Sequence, residues 1–172
     1  RKINDQYLDY ERAESSTVIS SPLLNVSLAV NDSSTYTAVP GDLLRYTVSY
    51  KNSSLYTLLG LTLTVKLDGD MYDFSTVDPG QGFFDSGTNT ITLNSSGVPA
   101  FGSLAPSVSG RAQFQVRLKP WFPSGLLGSK NFFVQATARL STPNVPVGID
   151  GTEVFTQSSI ATKITTPPPL AQ

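Results

Sequence analysis

Phe84-Asp85-Ser86-Gly87-Thr88 sets a carboxylate in an apolar-Asp-Ser-Gly-Thr turn. In this setting, two aspartates that share one proton can activate water against a peptide bond. Leu126-Leu127-Gly128 adds the apolar-apolar-Gly run that goes with such a turn. The chain holds one copy of the turn, so the second carboxylate would have to come from a homodimer. Asp, Ser, Gly and Asn are equally the residues of a plain hairpin turn between Phe84 and Thr90. Asp68, Asp70 and Asp73, with Asp78 near, offer the hard oxygen ligands that Ca²⁺ takes. They lack the loop Gly and the terminal bidentate Glu of an EF-hand, and a solvated turn has the same composition. Tyr56, Trp121 and Phe122 could present aromatic faces to a sugar, or plug the open end of a core. An isopeptide bond to Asn needs an inward Lys; Lys51 and Lys66 fall on the polar phase of their runs, and Lys130 lies at a strand start. Asn-X-Ser sequons at Asn25, Asn31, Asn52 and Asn94 are frequent by chance in so Ser-rich a chain.

Composition narrows the chemistry further. His is absent, which removes the commonest general base and metal ligand. Cys is absent, which removes disulfides and thiolate sites and disfavours a eukaryotic secreted domain over a bacterial or archaeal surface protein. Glu occurs only at Glu11, Glu14 and Glu153, so other acid–base pairs would have to be built from Asp. With 12 basic and 13 acidic residues the net charge is -1, which predicts no basic field to hold nucleic acid or an anionic bilayer. No apolar run reaches membrane-spanning length. The 172 residues fit one domain with appendages. A start at Arg1 without Met reads as a fragment of something longer.

The elements that would position these residues alternate with period two. Leu44, Tyr46, Val48 and Tyr50 alternate with Arg45, Thr47, Ser49 and Lys51, the pattern of a strand with one wet and one buried face. Leu59, Leu61, Leu63, Val65 and Leu67 form a second such run. So do Leu24 to Val30, Ala112 to Leu118 with Arg111, Gln113, Gln115 and Arg117 outward, and Val134 to Leu140. Glu153 to Ile164 is the last strand. Phe83-Phe84 and Thr90 to Leu93 form a short pair, Met71 to Val77 an irregular or short-strand passage, and Gly97 to Pro106 a long connection. Turns fall at Asn31 to Ser34, Pro40-Gly41-Asp42 and Asp68-Gly69-Asp70. Strands with turn signals between them predict an antiparallel sandwich rather than a βαβ sheet. Tyr46, Val48, Leu63, Val65, Phe114, Val116 and Ala136 are the expected core. Residues 1–20 read as a polar connector ending in a short β-branched strand, 21–166 as the sandwich and 167–172 as a Pro-rich linker.

Pro40-Gly41-Asp42, Tyr46-Thr47-Val48, Lys51-Asn52-Ser53 and Gly102-Ser103-Leu104-Ala105-Pro106, followed by the Phe114 strand, form a pattern. It resembles the "conserved repeat" family of immunoglobulin-like domains, found often in tandem in large bacterial and archaeal cell-surface proteins. The passages Asp68 to Thr76 and Lys119 to Phe133 resemble a variant in long surface proteins of candidate-phylum bacteria. The family's Gly after Leu-Ala-Pro is Ser107 here, with Gly at Gly110 instead. The resemblance spans roughly Pro22 to Ile164 and implies an all-β, immunoglobulin-like sandwich with no catalytic, metal or cofactor residues. It implies a stalk, spacer or adhesion module, extracellular or at the cell surface, with neighbouring domains of the same or like chains as partners. A glycan- or protein-binding module using the loop aromatics is the alternative, and a dimeric aspartic protease a remote one. In such a sandwich the chain termini leave from opposite ends.

Overall fold

The computed structural model describes residues 22–122 and 132–165. The expected leading strand at 17–20, Lys130, Leu126-Leu127-Gly128 and the Pro-rich segment lie outside the described residues. Within them run β1 (Leu24–Val30), β2 (Thr37–Ala38), β3 (Leu43–Asn52), β4 (Leu58–Leu59), β5 (Thr62–Asp68), β6 (Tyr72–Asp78), β7 (Phe83–Asp85), β8 (Thr90–Leu93), β9 (Ser103–Leu104), β10 (Ser109–Leu118), β11 (Phe133–Thr142) and β12 (Val154–Ile164). A 3₁₀ turn spans Pro99–Gly102.

These strands make an immunoglobulin-like β-sandwich. One sheet has the order β1-β3-β10-β6, the other β2-β12-β11-β5-β8-β7, and β4 pairs with β9 at one end. After β5 the chain crosses to the first sheet for β6, then returns as the β7–β8 hairpin beside β5. The period-two residues meet between the sheets. Tyr46, Val48, Leu63, Val65, Phe114, Val116 and Ala136 are all buried, as expected from their phase. Tyr46 stacks on Phe114 at 4.8 Å between centroids, and Tyr50 meets Phe101 edge-on at 5.0 Å. Tyr50 also lies over its partner Gly110, where a Cβ would come within 2.5 Å of the tyrosine oxygen.

The structure departs from the sequence pattern at several points. The alternation drawn from Leu59 fails at Gly60, whose φ of +64° breaks the run. Leu58 and Leu61 are buried, while Leu59 turns outward and is 49% exposed. Of the two readings of Met71 to Val77 the strand holds: β6 is a seven-residue strand paired with β10, with a register shift between Gln115 and Arg117. Gly97 to Pro106 carries the 3₁₀ turn and β9. The sandwich is also not wholly antiparallel, because β2 runs parallel to β12 at Lys163 and Ile164.

The sandwich has two poles, about 30 Å apart along the ten residues of β3. At the entry pole Leu24 pairs with Asn52, and Ser53 N–H donates to Leu23 O. At the exit pole Thr165 N–H donates to Ala38 O, and Gly41 N–H to Lys119 O. The described chain therefore enters at one pole and leaves at the other.

Candidate functional site

Asp85 closes the β7–β8 hairpin at the exit pole. Its Oδ1 accepts from Gly87 N–H at 2.8 Å and its Oδ2 from Thr88 Oγ1 at 2.9 Å. The Gly87 bond first, then the Thr88 bond, hold this exposed carboxyl below its ordinary pKa. These bonds close the hairpin turn, as its composition also allows.

The acidic residues of the Asp68–Asp78 passage are spread out. Asp68 lies 3.7 Å from Lys66 Nζ. Asp73 Oδ1 accepts from Ser75 N–H and Oγ, and Asp78 Oδ1 from Gly80 N–H. Asp70 is exposed on its turn. Among the described residues no three acidic side chains converge as a metal-binding group.

Topology separates the three aromatics. Tyr56 is at the entry pole, where its carbonyl accepts from Asn52 Nδ2. Trp121 and Phe122 follow β10 at the exit pole. Phe122 packs on Phe132 with centroids 4.8 Å apart and covers the end of the core. Trp121 is 72% exposed and plugs nothing. Tyr56 and Trp121 do not share a surface. Lys51 and Lys66 are both exposed, as their strand phase requires, so neither is an inward lysine.

Two motif residues prove to be clamps. Asn52 is fully buried. Its Oδ1 accepts from Ser54 N–H and Oγ, and its Nδ2 donates to Tyr56 O at 2.7 Å and Leu104 O at 2.8 Å. One amide thus ties the loop after β3 to β9, and it is closed to modification. Asp42 Oδ2 accepts from Val39 N–H and Tyr36 OH, which locks the turn whose Gly41 takes φ +89°.

Sequence reasoning missed a buried hydroxyl pair. Tyr46 OH and Tyr72 OH lie 2.5 Å apart and fully enclosed between the sheets, with Thr162 Oγ1 close by and without a well-formed hydrogen bond. Burial pushes the Tyr46 phenol up to about 12, and burial with the neighbouring Tyr46 raises Tyr72 well above its ordinary value.

The outer faces of the two sheets carry charge differently. On the six-stranded sheet the outward cations are Lys66, Arg139 and Lys163. Lys66 meets Asp68, and Arg139 meets Glu153 at 2.5 Å while lying 4.2 Å over the Phe155 ring, whereas Lys163 has no ion-pair partner among the described residues. On the four-stranded sheet the outward cations are Arg45 and Lys51 on β3 and Arg111 and Arg117 on β10. None of these four has an ion-pair partner among the described residues. Arg117 donates to Gly41 O at 3.0 Å. Adjoining shallow recesses run along β10 over this face, sharing Arg111, Gln113 and Gly80 at their borders. The one over Lys51 and Arg111 is about 490 Å³. The sequence carried this signal in the outward phase of β3 and β10, but a net charge of -1 hid it.

No family model matches this chain. No curated protein matches it either. Solved structures do. The seventh type I cohesin of ScaB from Pseudobacteroides cellulosolvens is 8% identical with a TM-score of 0.46, over 88% of this chain and 98% of that one. The collagen-binding domain of a Staphylococcus aureus adhesin is 11% identical with a TM-score of 0.42, over 84% and 99%. AvmM, which catalyses macrocyclization in alchivemycin A biosynthesis, is 15% identical with a TM-score of 0.45, over 88% and 94%. All three lie below 25% identity and below a TM-score of 0.5, so no activity, ligand or partner is carried over from them. Among the described residues no helix is long and apolar enough to cross a membrane.

Proposed function

We propose that this domain is a non-catalytic structural module, a spacer or stalk unit of a cell-surface or extracellular protein. Residues 21–166 would form the unit, with 1–20 and 167–172 as connectors to neighbouring domains of the same or like chains. The observation that carries this reading is the pole-to-pole path of the chain, in at Leu23 and out at Thr165. Units joined at opposite poles add length, whereas units joined at one pole fold back on each other. The surface-protein setting rests on the turn and strand motifs that resemble the immunoglobulin-like repeats. The candidate catalytic Asp85 is absorbed in its own turn, which supports a role without catalysis.

Small-angle scattering on one-, two- and three-copy chains tests the reading. The maximum dimension should grow by a near-constant step with each copy, and the single unit should be monomeric. A dimension that stays flat, or a tight oligomer of the single unit, would sink the spacer. The binding-module alternative is favoured by one observation, the unpaired cations of the four-stranded sheet.

A further inference from the structure

The outer face of the four-stranded sheet gathers four cations without an ion-pair partner among the described residues on two adjacent strands. Lys51 pairs across the sheet with Ser109, and Arg111 with Ser49. The two cations therefore sit on a cross-strand diagonal, roughly 7–8 Å apart at the backbone. Arg45 opposite Gln115 and Arg117 opposite Leu43 repeat the same diagonal six residues along, about 20 Å away. Between the diagonals, Gln113 Nε2 donates to Thr47 Oγ1 at 3.3 Å. Asp78 opposite Gln115 and Asp73 opposite Arg117 flank the second diagonal, and Asp78 lines the recess there, so the carboxylate-free end of the face is the Lys51–Arg111 diagonal.

The 490 Å³ recess lies over that first diagonal. Its polar lining is Asn25, Ser27, Ser49, Lys51, Ser109 and Arg111, without a carboxylate. Side chains that are short, neutral and hydrogen-bonding surround two cations whose charge no described residue balances. We infer that this recess binds an acidic polysaccharide, a hydroxyl-rich chain whose carboxylates seat on Lys51 and Arg111.

Charge complementarity calls for a polyanion, and the character of the face selects which one. β3 and β10 are interior strands paired on both sides, so they have no free edge to which a peptide could add as a strand. The lining has no exposed large apolar side chain to anchor a peptide: Tyr50 is 6% exposed and Val26 half-buried. Serine hydroxyls and the Asn25 amide match sugar hydroxyls, and the cations match uronate carboxylates through charge-assisted hydrogen bonds. Such binding is surface electrostatics and weakens as salt screens it. The recess does not depend on the spacer reading, so scattering and binding experiments can fail separately.

The test is binding of polygalacturonate at low ionic strength, with neutral dextran and poly-L-glutamate as comparison polymers. Polygalacturonate should bind, dextran should not, and raising salt should weaken binding. Lys51→Gln with Arg111→Gln should weaken it about tenfold or more, with an unchanged melting temperature as proof of folding. Lys66→Gln with Lys163→Gln, on the opposite sheet, should leave it unchanged. No binding by the native domain, or binding that survives loss of Lys51 and Arg111, overturns the inference. Poly-L-glutamate binding as tightly as polygalacturonate overturns it too and reassigns the face to an acidic peptide.

Discussion

β10 has two faces that differ in what they hold. Inward, Ala112, Phe114, Val116 and Leu118 are buried against the facing sheet, and Phe114 stacks on Tyr46. Outward, Arg111, Gln113, Gln115 and Arg117 form a polar stripe whose cations have no ion-pair partner among the described residues. β11, its counterpart at the centre of the other sheet, is just as apolar inward, yet its outward Arg139 is tied to Glu153 and Phe155. The inward faces are alike because burial dictates them. The outward faces differ although burial places the same weak demand on both, and that freedom is where a binding surface can be written.

The contrast breaks most easily from the inside. Val116→Asp sets an uncompensated carboxylate where exposure is 0%, so it should cost about 4–5 kcal/mol or more and leave the domain largely unfolded. A native melting temperature would show that the phase of β10 is wrong.

A smaller effect comes from the buried hydroxyl pair. Tyr46→Phe leaves the Tyr72 hydroxyl without its partner and should cost about 1–3 kcal/mol, whereas Tyr46→Phe with Tyr72→Phe should recover most of that loss. Their phenols have raised pKa values in the folded state, so the stability they contribute is complete below pH ~10 and declines as pH rises toward 12. Thermal melts of the native domain should therefore drop steeply above pH ~10, and the double variant should flatten that drop. If single and double variants are equally destabilised, the two hydroxyls are not coupled.

The smallest effect belongs outside. Lys51→Gln with Arg111→Gln changes only exposed positions, so urea midpoints should move by about 0.5 kcal/mol or less in free energy. A larger loss would mean that these cations support the fold and would blur the contrast between the two faces.

The same contrast explains what the sequence made legible. Inward phase was plain in β3, β10 and β11, because alternation is the direct imprint of a one-sided core. It misled at Leu59, where a single glycine with positive φ resets the phase without changing the composition. The parallel β2–β12 contact and the separation of Tyr56 from Trp121 depend on topology, which local pattern does not encode. The Asp85 turn carried a catalytic motif and a hairpin motif in the same letters, and the structure shows the hairpin between β7 and β8. The cations of the four-stranded sheet lay in view as Arg45, Lys51, Arg111 and Arg117, on two strands far apart in the sequence, and became a patch only once β3 and β10 were paired.

The central claim is that the chain passes through the sandwich from pole to pole. Because Cys is absent, two engineered cysteines can be labelled without background. Spin labels at Pro22→Cys and Thr165→Cys, measured by pulsed dipolar spectroscopy, should give one narrow distance distribution at roughly 30–40 Å, as the length of β3 requires. A distribution centred below about 20 Å would place both sites at the same pole and contradict the account.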